Sequence, residues 1–371
     1  GGRYIVAVVR EAGRPATEAL AERLPELVAA LRFNKAMRWN ASGVAFSRPI
    51  RWLLALFGDQ VIPFEYAGVA SGNATRGLRA FDPDALHPRA LAVTDAAAYV
   101  ELMANEGIVL DRAQRAEAIA RQVQALAQKV GGRAPDDPAL LAEVANLVER
   151  PTALLGRFDQ KYLNLPDAIL IAVMRKHQRY FPVMDDAGRL MPYFIAVRNG
   201  DAAHLDKVIA GNEHVIRARF ADADFFYRED RKRRLEDFLP RLGTKTFQEK
   251  LGSYRDKSQR VTQLVRRIGP MLGLSADDQR AAERAAYLSK ADQATHMVTE
   301  MTSLEGVMGR EYARLSGEPE PVAQAIFEGY LPRSAGDQLP RTLPGTVVAI
   351  ADRLDSLAGL DPQRVAEDTY L

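Results

Sequence analysis

The chain has 371 residues, of which 47% are apolar and 26% charged, with a net charge of +2 and no cysteine. That composition is globular, long enough for two or three domains, and excludes an intrinsically disordered chain. The lack of cysteine excludes disulfides, thiolate nucleophiles and sulfur-ligated zinc, and no run approaches the ~18 uninterrupted apolar residues of a membrane span. The opening "GGRYIVAVVR" has no signal-peptide layout, so the expected location is cytoplasmic.

In chain order, "YIVAVV" at 4–9 is a continuous β-branched run and predicts a strand, and residues 16–31 carry helical spacing. "PIRWLLALFGD" is an apolar run too short to assign to helix or strand. "VIPFEYAGVASGNATRGLRAF" has the Gly, Pro and Asn punctuation of short strands and loops. A helical hairpin follows. Ala116, Ile119, Ala120, Val123, Leu126, Ala127 and Val130 form one stripe, Asp111 and Gln114 form a capping signal, and Gly131-Gly132 supplies a stop. A second helix is predicted over 138–149. Strands return in "PTALLG", "RYFPVM" and "PYFIAV", with Asp186-Ala187-Gly188 as a hairpin turn.

From about residue 211 onward nearly everything reads as helix. Ile216, Phe220, Ala223 and Tyr227 line one face, while Asp224 and Arg228 form an i, i+4 pair away from it. Further helices are expected at 253–268, 276–290, 303–315, 319–329 and 343–357. The fold class is α+β: a mixed α/β N-terminal body followed by an all-helical domain. The expected segments are 1–150, 151–245 and 246–371.

Two kinds of chemistry are visible in the residues. "LSKADQATHMVTEM" and, about 60 residues later, "AIADRLDSL" have the spacing of a His-Asp-type metal phosphohydrolase core. Such a core needs several imidazoles and carboxylates converging on a cation. Here the His-Asp position reads Ala291-Asp292 with Lys290 beside it, and an ammonium there competes with a cation. Asp352 remains in "ADRLD". None of the five histidines forms a local ligand set, and no phosphate loop, dinucleotide fingerprint or nucleophile elbow is present.

The second kind is polyanion binding. From Arg217 to Arg267 there are 15 Lys/Arg against 8 Asp/Glu, an excess of +7 that leaves −5 for the rest of the chain. Phosphates need such cations, and exposed bases need aromatic or guanidinium planes. "MRWNASGVAFSRPIRW" interleaves Arg38, Arg48 and Arg51 with Trp39, Phe46 and Trp52. "TRGLR" places Arg76 and Arg79 around a glycine that would let the backbone approach a ligand. "VIRARFADADFFYREDRKRR" contributes Arg217, Arg219, Arg231, Lys232, Arg233 and Arg234. The bland readings are a tryptophan-anchored core rimmed by arginines, and a salt-bridged helix face.

These strings, together with "LPRSAGDQLPRTLPGTVVAIADRLDSLAGL" and "EMTSLEGVMGREYA", strongly resemble the β subunit of bacterial glycyl-tRNA synthetase of the α2β2 type, in order, over roughly residues 3–360. The resemblance implies a tRNA-binding, non-catalytic subunit of a glycine–tRNA ligase that positions tRNA(Gly). The α subunit, on a separate or fused chain, would carry ATP, Mg and the aminoacylation chemistry, and no cofactor is expected on this chain. It also implies a His-Asp-like helical domain with degraded ligands. No catalytic or metal-binding residue is therefore assigned. The alternative is an active metal-dependent phosphohydrolase acting on nucleotides or RNA ends.

The chain departs from the family pattern in three places. Leu78 stands where histidine is expected, "LDPQRVAEDTYL" replaces a Gly-rich link after Gly359, and an additional N-terminal region and a C-terminal anticodon-binding domain are not in the sequence. The last departure implies poor anticodon reading.

Overall fold

The computed structural model describes residues 13–78 and 89–359. The strand expected at 4–9 and the candidate Arg79 lie outside them. The chain divides into two units. The first comprises Gly1–Val123, Asp137–Ala153 and Val197–Ala203, and the second Gln124–Asp136, Leu154–Ala196 and His204–Leu371.

The first unit begins with helix α1, Ala16–Ala29. A series of very short strands follows. Met37–Arg38 pairs antiparallel with Ala45–Phe46, Leu53–Leu54 runs parallel to part of Val69–Gly72, and Ala74–Arg76 pairs with Ala90–Ala92. The ambiguous apolar run therefore becomes two-residue strands, Leu53–Leu54 and Leu56–Phe57, the latter turned back onto Gln60–Val61. Gly58 at φ +60° makes that turn, a conformation that costs most other residues a Cβ clash. Leu78 fills an apolar niche against Leu91, Met103 and Ile108. A polar role for that position is replaced by packing.

Helices α2 (Tyr99–Asn105), α3 (Arg112–Gln128) and α4 (Pro138–Leu147) complete the helical hairpin region. The Asp111 carboxylate accepts the Gln114 N–H at 2.8 Å, and Asp137 does the same for Leu140 at 3.1 Å. Each satisfies one of the orphan donors of a helix start, worth about 1 kcal/mol. The α3 stripe is buried at Ile119, Val123 and Ala127. Arg115 reaches from α3 to the carbonyls of Val109 at 2.6 Å and Ala145 at 3.0 Å. The helix stops where expected. Gly131 takes φ +72° and the Gly132 N–H returns to the Ala127 carbonyl at 3.1 Å, a Schellman closure.

A three-stranded sheet has Leu190–Asn199 between Pro151–Arg157 and Phe181–Met184, and all but the start of the first strand and the end of the central one belongs to the second unit. Gly188 at φ +77° closes the hairpin, with its N–H on the Asp185 carbonyl at 3.0 Å. Helix α5 (Asp167–Ala172) runs on into a π-helical turn, Val173–Gln178, which ends at Arg179 with φ +57°.

Helix α6 (Leu205–Asp230) buries the predicted stripe of Ile216, Phe220, Ala223 and Tyr227, while Asp224 and Arg228 pair at 2.9 Å on its outside. Phe220 meets Phe158 edge-on at 4.9 Å, and burial of such a ring contributes roughly 1.5–3 kcal/mol.

The remainder is all helical apart from a two-stranded ribbon, Thr246–Gln248 with Gly252–Ser253. It comprises α7 (Tyr254–Met271), α8 (Ala276–Leu288), α9 (His296–Glu300), α10 (Val307–Leu315), α11 (Glu320–Glu328) and α12 (Leu343–Gly359). The helix expected over 276–290 stops at Leu288 because Lys290 adopts a left-handed backbone, φ +66°. The helix expected from 303 starts only at Val307, after a turn at Gly306. No helix among the described residues is long and apolar enough to cross a membrane.

Candidate functional site

The left-handed turn at Lys290 delivers its ammonium into the helical unit rather than to solvent. The side chain is almost fully buried, with Nζ 3.4 Å from Asp352 Oδ2 and 3.8 Å from the centre of the Tyr330 ring. A second buried lysine comes from α7. Lys257 Nζ lies 3.1 Å from Asp355 Oδ2, 3.4 Å from Asp352 Oδ1 and 2.7 Å from Ser356 Oγ, all on α12. Arg260, one turn further along α7, grips Asp355 Oδ1 at 2.6 Å and Oδ2 at 3.2 Å. Burial pushes the Asp355 carboxyl up, but the hydrogen bonds from Arg260 and Lys257 outweigh it and hold the group below the usual carboxylate range.

Asp292 is buried on the adjoining 3-10 turn. Its Oδ1 accepts the Tyr330 hydroxyl at 2.9 Å and its Oδ2 the Gly306 N–H at 2.6 Å. Burial drives its pKa up, against the downward pull of Gly306, Tyr330 and the Lys290 charge. Glu305 is likewise raised by burial and lowered by Lys290.

A divalent cation does not fit this donor set. Asp352, the carboxylate a metal would need, is contacted by two ammoniums on its two oxygens. Among the described residues no group of three or more His, Asp or Glu side chains could hold an ion. The lysines supply the positive charge that buried carboxylates require, without the open coordination position that hydrolysis needs.

Beside this cluster a carboxylate clamp ties α6 to α9. Asp230 is 1% exposed and accepts the backbone N–H groups of His296 and Met297, each at 2.9 Å, the His296 ring at Nδ1 at 2.9 Å and the Tyr312 hydroxyl at 3.0 Å. The Asp that closes "YRED" is thus a structural acceptor at a helix start. Its neighbours in the sequence point outward.

Those neighbours include the exposed cations singled out in the sequence. Arg217 and Arg219 lie on the outside of α6, and Arg231, Lys232, Arg233 and Arg234 follow its end; all six are exposed. Two are engaged by the chain itself, for Lys232 pairs with Glu229 at 2.5 Å and Arg231 lies over the Tyr227 ring at 5.2 Å. The side chains of Arg217, Arg219 and Arg233 make no ion pair among the described residues.

In the first unit, Arg38 Nε donates to the Gly43 carbonyl at 3.0 Å and Trp39 Nε1 to that of Phe46 at 2.9 Å. Arg76 stacks over Trp52 at 5.9 Å, and Arg48 and Arg51 are exposed. The glycine of "TRGLR" serves an internal approach. A Cβ at Gly77 would come 2.6 Å from Glu106 Oε2, whose carboxylate pairs with Arg89. The described structure thus splits the candidates into a first-unit set (Arg38, Arg48, Arg51, Arg76) and a second-unit set (Arg217, Arg219 and 231–234). Arg157, at the end of its strand and unmarked in the sequence, belongs with the second set.

The fold is therefore an α+β scaffold in which Lys257, Lys290 and Arg260 pair with Asp352 and Asp355, while exposed Arg217, Arg219 and Arg233 make no ion pair among the described residues. Comparison with known proteins names the lineage. A family profile described as glycyl-tRNA synthetase beta subunit matches residues 1–361, and the chain belongs to that family. It is 48% identical over 356 residues to the glycine–tRNA ligase beta subunit of Desulforudis audaxviator, covering 96% of this chain and 51% of that protein. The corresponding proteins of Clostridioides difficile and Moorella thermoacetica are each 47% identical, covering 96% and 97% of this chain and 51% of their own lengths. The chain thus spans about half the length of the curated relatives it matches.

Proposed function

We propose that this chain is the tRNA-positioning, non-catalytic part of a glycine–tRNA ligase β subunit. Its partners in this reading are tRNA(Gly) and a cytoplasmic α subunit that holds ATP, Mg and glycine and makes the ester bond. The observation that carries it is the division of charge in the helical unit. Buried Lys257 and Lys290 and half-buried Arg260 are consumed by Asp352 and Asp355, whereas exposed Arg217, Arg219 and Arg233 make no ion pair among the described residues. Cations held outward on a rigid helix suit sequence-independent phosphate contacts, which fix the register of a folded RNA. A fixed register brings its 3′ end to an activated amino acid on a neighbouring polypeptide, and that is where the rate gain of positioning arises.

The test is a charging assay with the α subunit, in the presence and absence of this chain within its full-length β subunit. The reading expects charging to require β and to fall when the exposed arginines are neutralised. Equal charging by α alone overturns it.

A further inference from the structure

A cleft of about 470 Å³ in the second unit is lined by Arg157, Asp159, Gln160, Tyr193, Glu213 and Arg217. Two strands and a helix build it. Arg157 ends one strand, Tyr193 lies on the neighbouring Leu190–Asn199 strand, and Glu213 and Arg217 stand one turn apart on α6. Both carboxylates are already engaged. Glu213 accepts the Arg157 backbone N–H at 3.0 Å, while Asp159 accepts the Lys161 N–H at 3.0 Å and pairs with its ammonium at 3.3 Å. The guanidiniums of Arg157 and Arg217 make no hydrogen bond or ion pair among the described residues. The cleft therefore offers two planar cations, an aromatic ring and a side-chain amide, on a rigid strand-and-helix frame.

We propose that this cleft is a single-nucleotide subsite. It takes the phosphate of an unpaired RNA nucleotide on Arg157 and Arg217, and the base against Tyr193 with the Gln160 amide at its edge. Guanidiniums match phosphate oxygens in a bidentate fork, and single-stranded bases are held by stacking on aromatic side chains with hydrogen bonds to their edges. The cleft has room for one nucleotide and not for a duplex. This inference rests on the RNA-binding role proposed above. A free nucleoside monophosphate offers the same chemistry, so the experiment separates the two sources.

The experiment measures fluorescence anisotropy of labelled tRNA(Gly) bound to the wild-type chain and to Arg157→Gln/Arg217→Gln, as a function of salt, with a nucleoside 5′-monophosphate as competitor. Both substituted side chains are exposed and make no hydrogen bond or ion pair among the described residues, so folding is retained, and circular dichroism checks it. The expected result is an affinity about tenfold weaker in the variant, as for loss of a charge-assisted phosphate contact, and a salt slope shallower by about 1. The monophosphate should compete against wild type and not against the variant. Equal, salt-sensitive binding by both proteins overturns the cleft and leaves the RNA-binding reading standing. No tRNA binding by wild type overturns both. Monophosphate binding without tRNA binding overturns the RNA subsite in favour of a small-nucleotide site.

Discussion

Lys257 Nζ sits 3.1 Å from Asp355 Oδ2 in a setting where Lys257 is 2% and Asp355 8% exposed. A buried ion pair of this kind adds little over a well-packed apolar pair, yet removing one member strands the other. Lys257→Met should therefore cost about 3–5 kcal/mol in urea denaturation. A cost below 1 kcal/mol would mean that solvent reaches Asp355 and Asp352.

Asp355 also sets a pH dependence. Its folded pKa is depressed, so the stabilisation is fully present above the unfolded carboxylate pKa and is lost as pH falls through the lower folded value. Wild type should lose stability on acidification through that window, and Asp355→Asn should show a lower stability at neutral pH with a flatter acid limb. Parallel acid limbs for the two proteins would contradict the assignment.

The Lys290 ammonium acts on two carboxyls whose net shift is upward. It draws down Asp292 and Glu305, both of which burial raises. In Lys290→Met those carboxyls rise further, and a raised folded pKa means stability that falls as pH rises through the window above the unfolded value. Thermal melts should show the variant's deficit growing from mildly acidic to neutral pH. A deficit independent of pH would indicate that the lysine acts only by packing.

A fourth test concerns the clamp between α6 and α9. Asp230→Ala leaves the N–H groups of His296 and Met297 and the Tyr312 hydroxyl without their acceptor. At roughly 1–3 kcal/mol for each buried group left unsatisfied, the loss should exceed 2 kcal/mol. Hydrogen exchange at Met297 should rise well above that of the α8 amides. If it does not, water has replaced the carboxylate.

Packing in the sheet of the second unit is equally exposed to test. A Cβ at Gly156 would fall 2.3 Å from Phe194 Cζ, and that ring is fully buried and stacked on Tyr180 at 4.7 Å. Gly156→Ala should cost about 1–3 kcal/mol by overpacking. A neutral melt would mean that the ring can swing away.

How much of this was legible depended on whether a feature is local. The stripe from Ile216 to Tyr227 follows a 3.6-residue period, and the Asp186-Ala187-Gly188 turn uses φ-positive chemistry, so both could be read from neighbours alone. The break at Lys290 could not be, because a lysine in the left-handed region violates its own propensity and is held there by Tyr330, in the turn after α11, and Asp352 on α12. Lys257 sits in "YRDKSQR", which reads as a solvated face. Only the packing of α7 against α12 turns that lysine inward. Arg157 carried no signal either, since a single arginine after an apolar strand is ordinary until Tyr193 and Arg217 are brought beside it.

The most direct measurement is the salt dependence of tRNA(Gly) affinity for wild type and for Arg217→Glu/Arg219→Glu/Arg233→Glu. The expected log–log slope is steeply negative for wild type and shallower by about 2–3 in the variant, near one released counterion per lost phosphate contact. An affinity that is absent, or that does not change with salt, would contradict it.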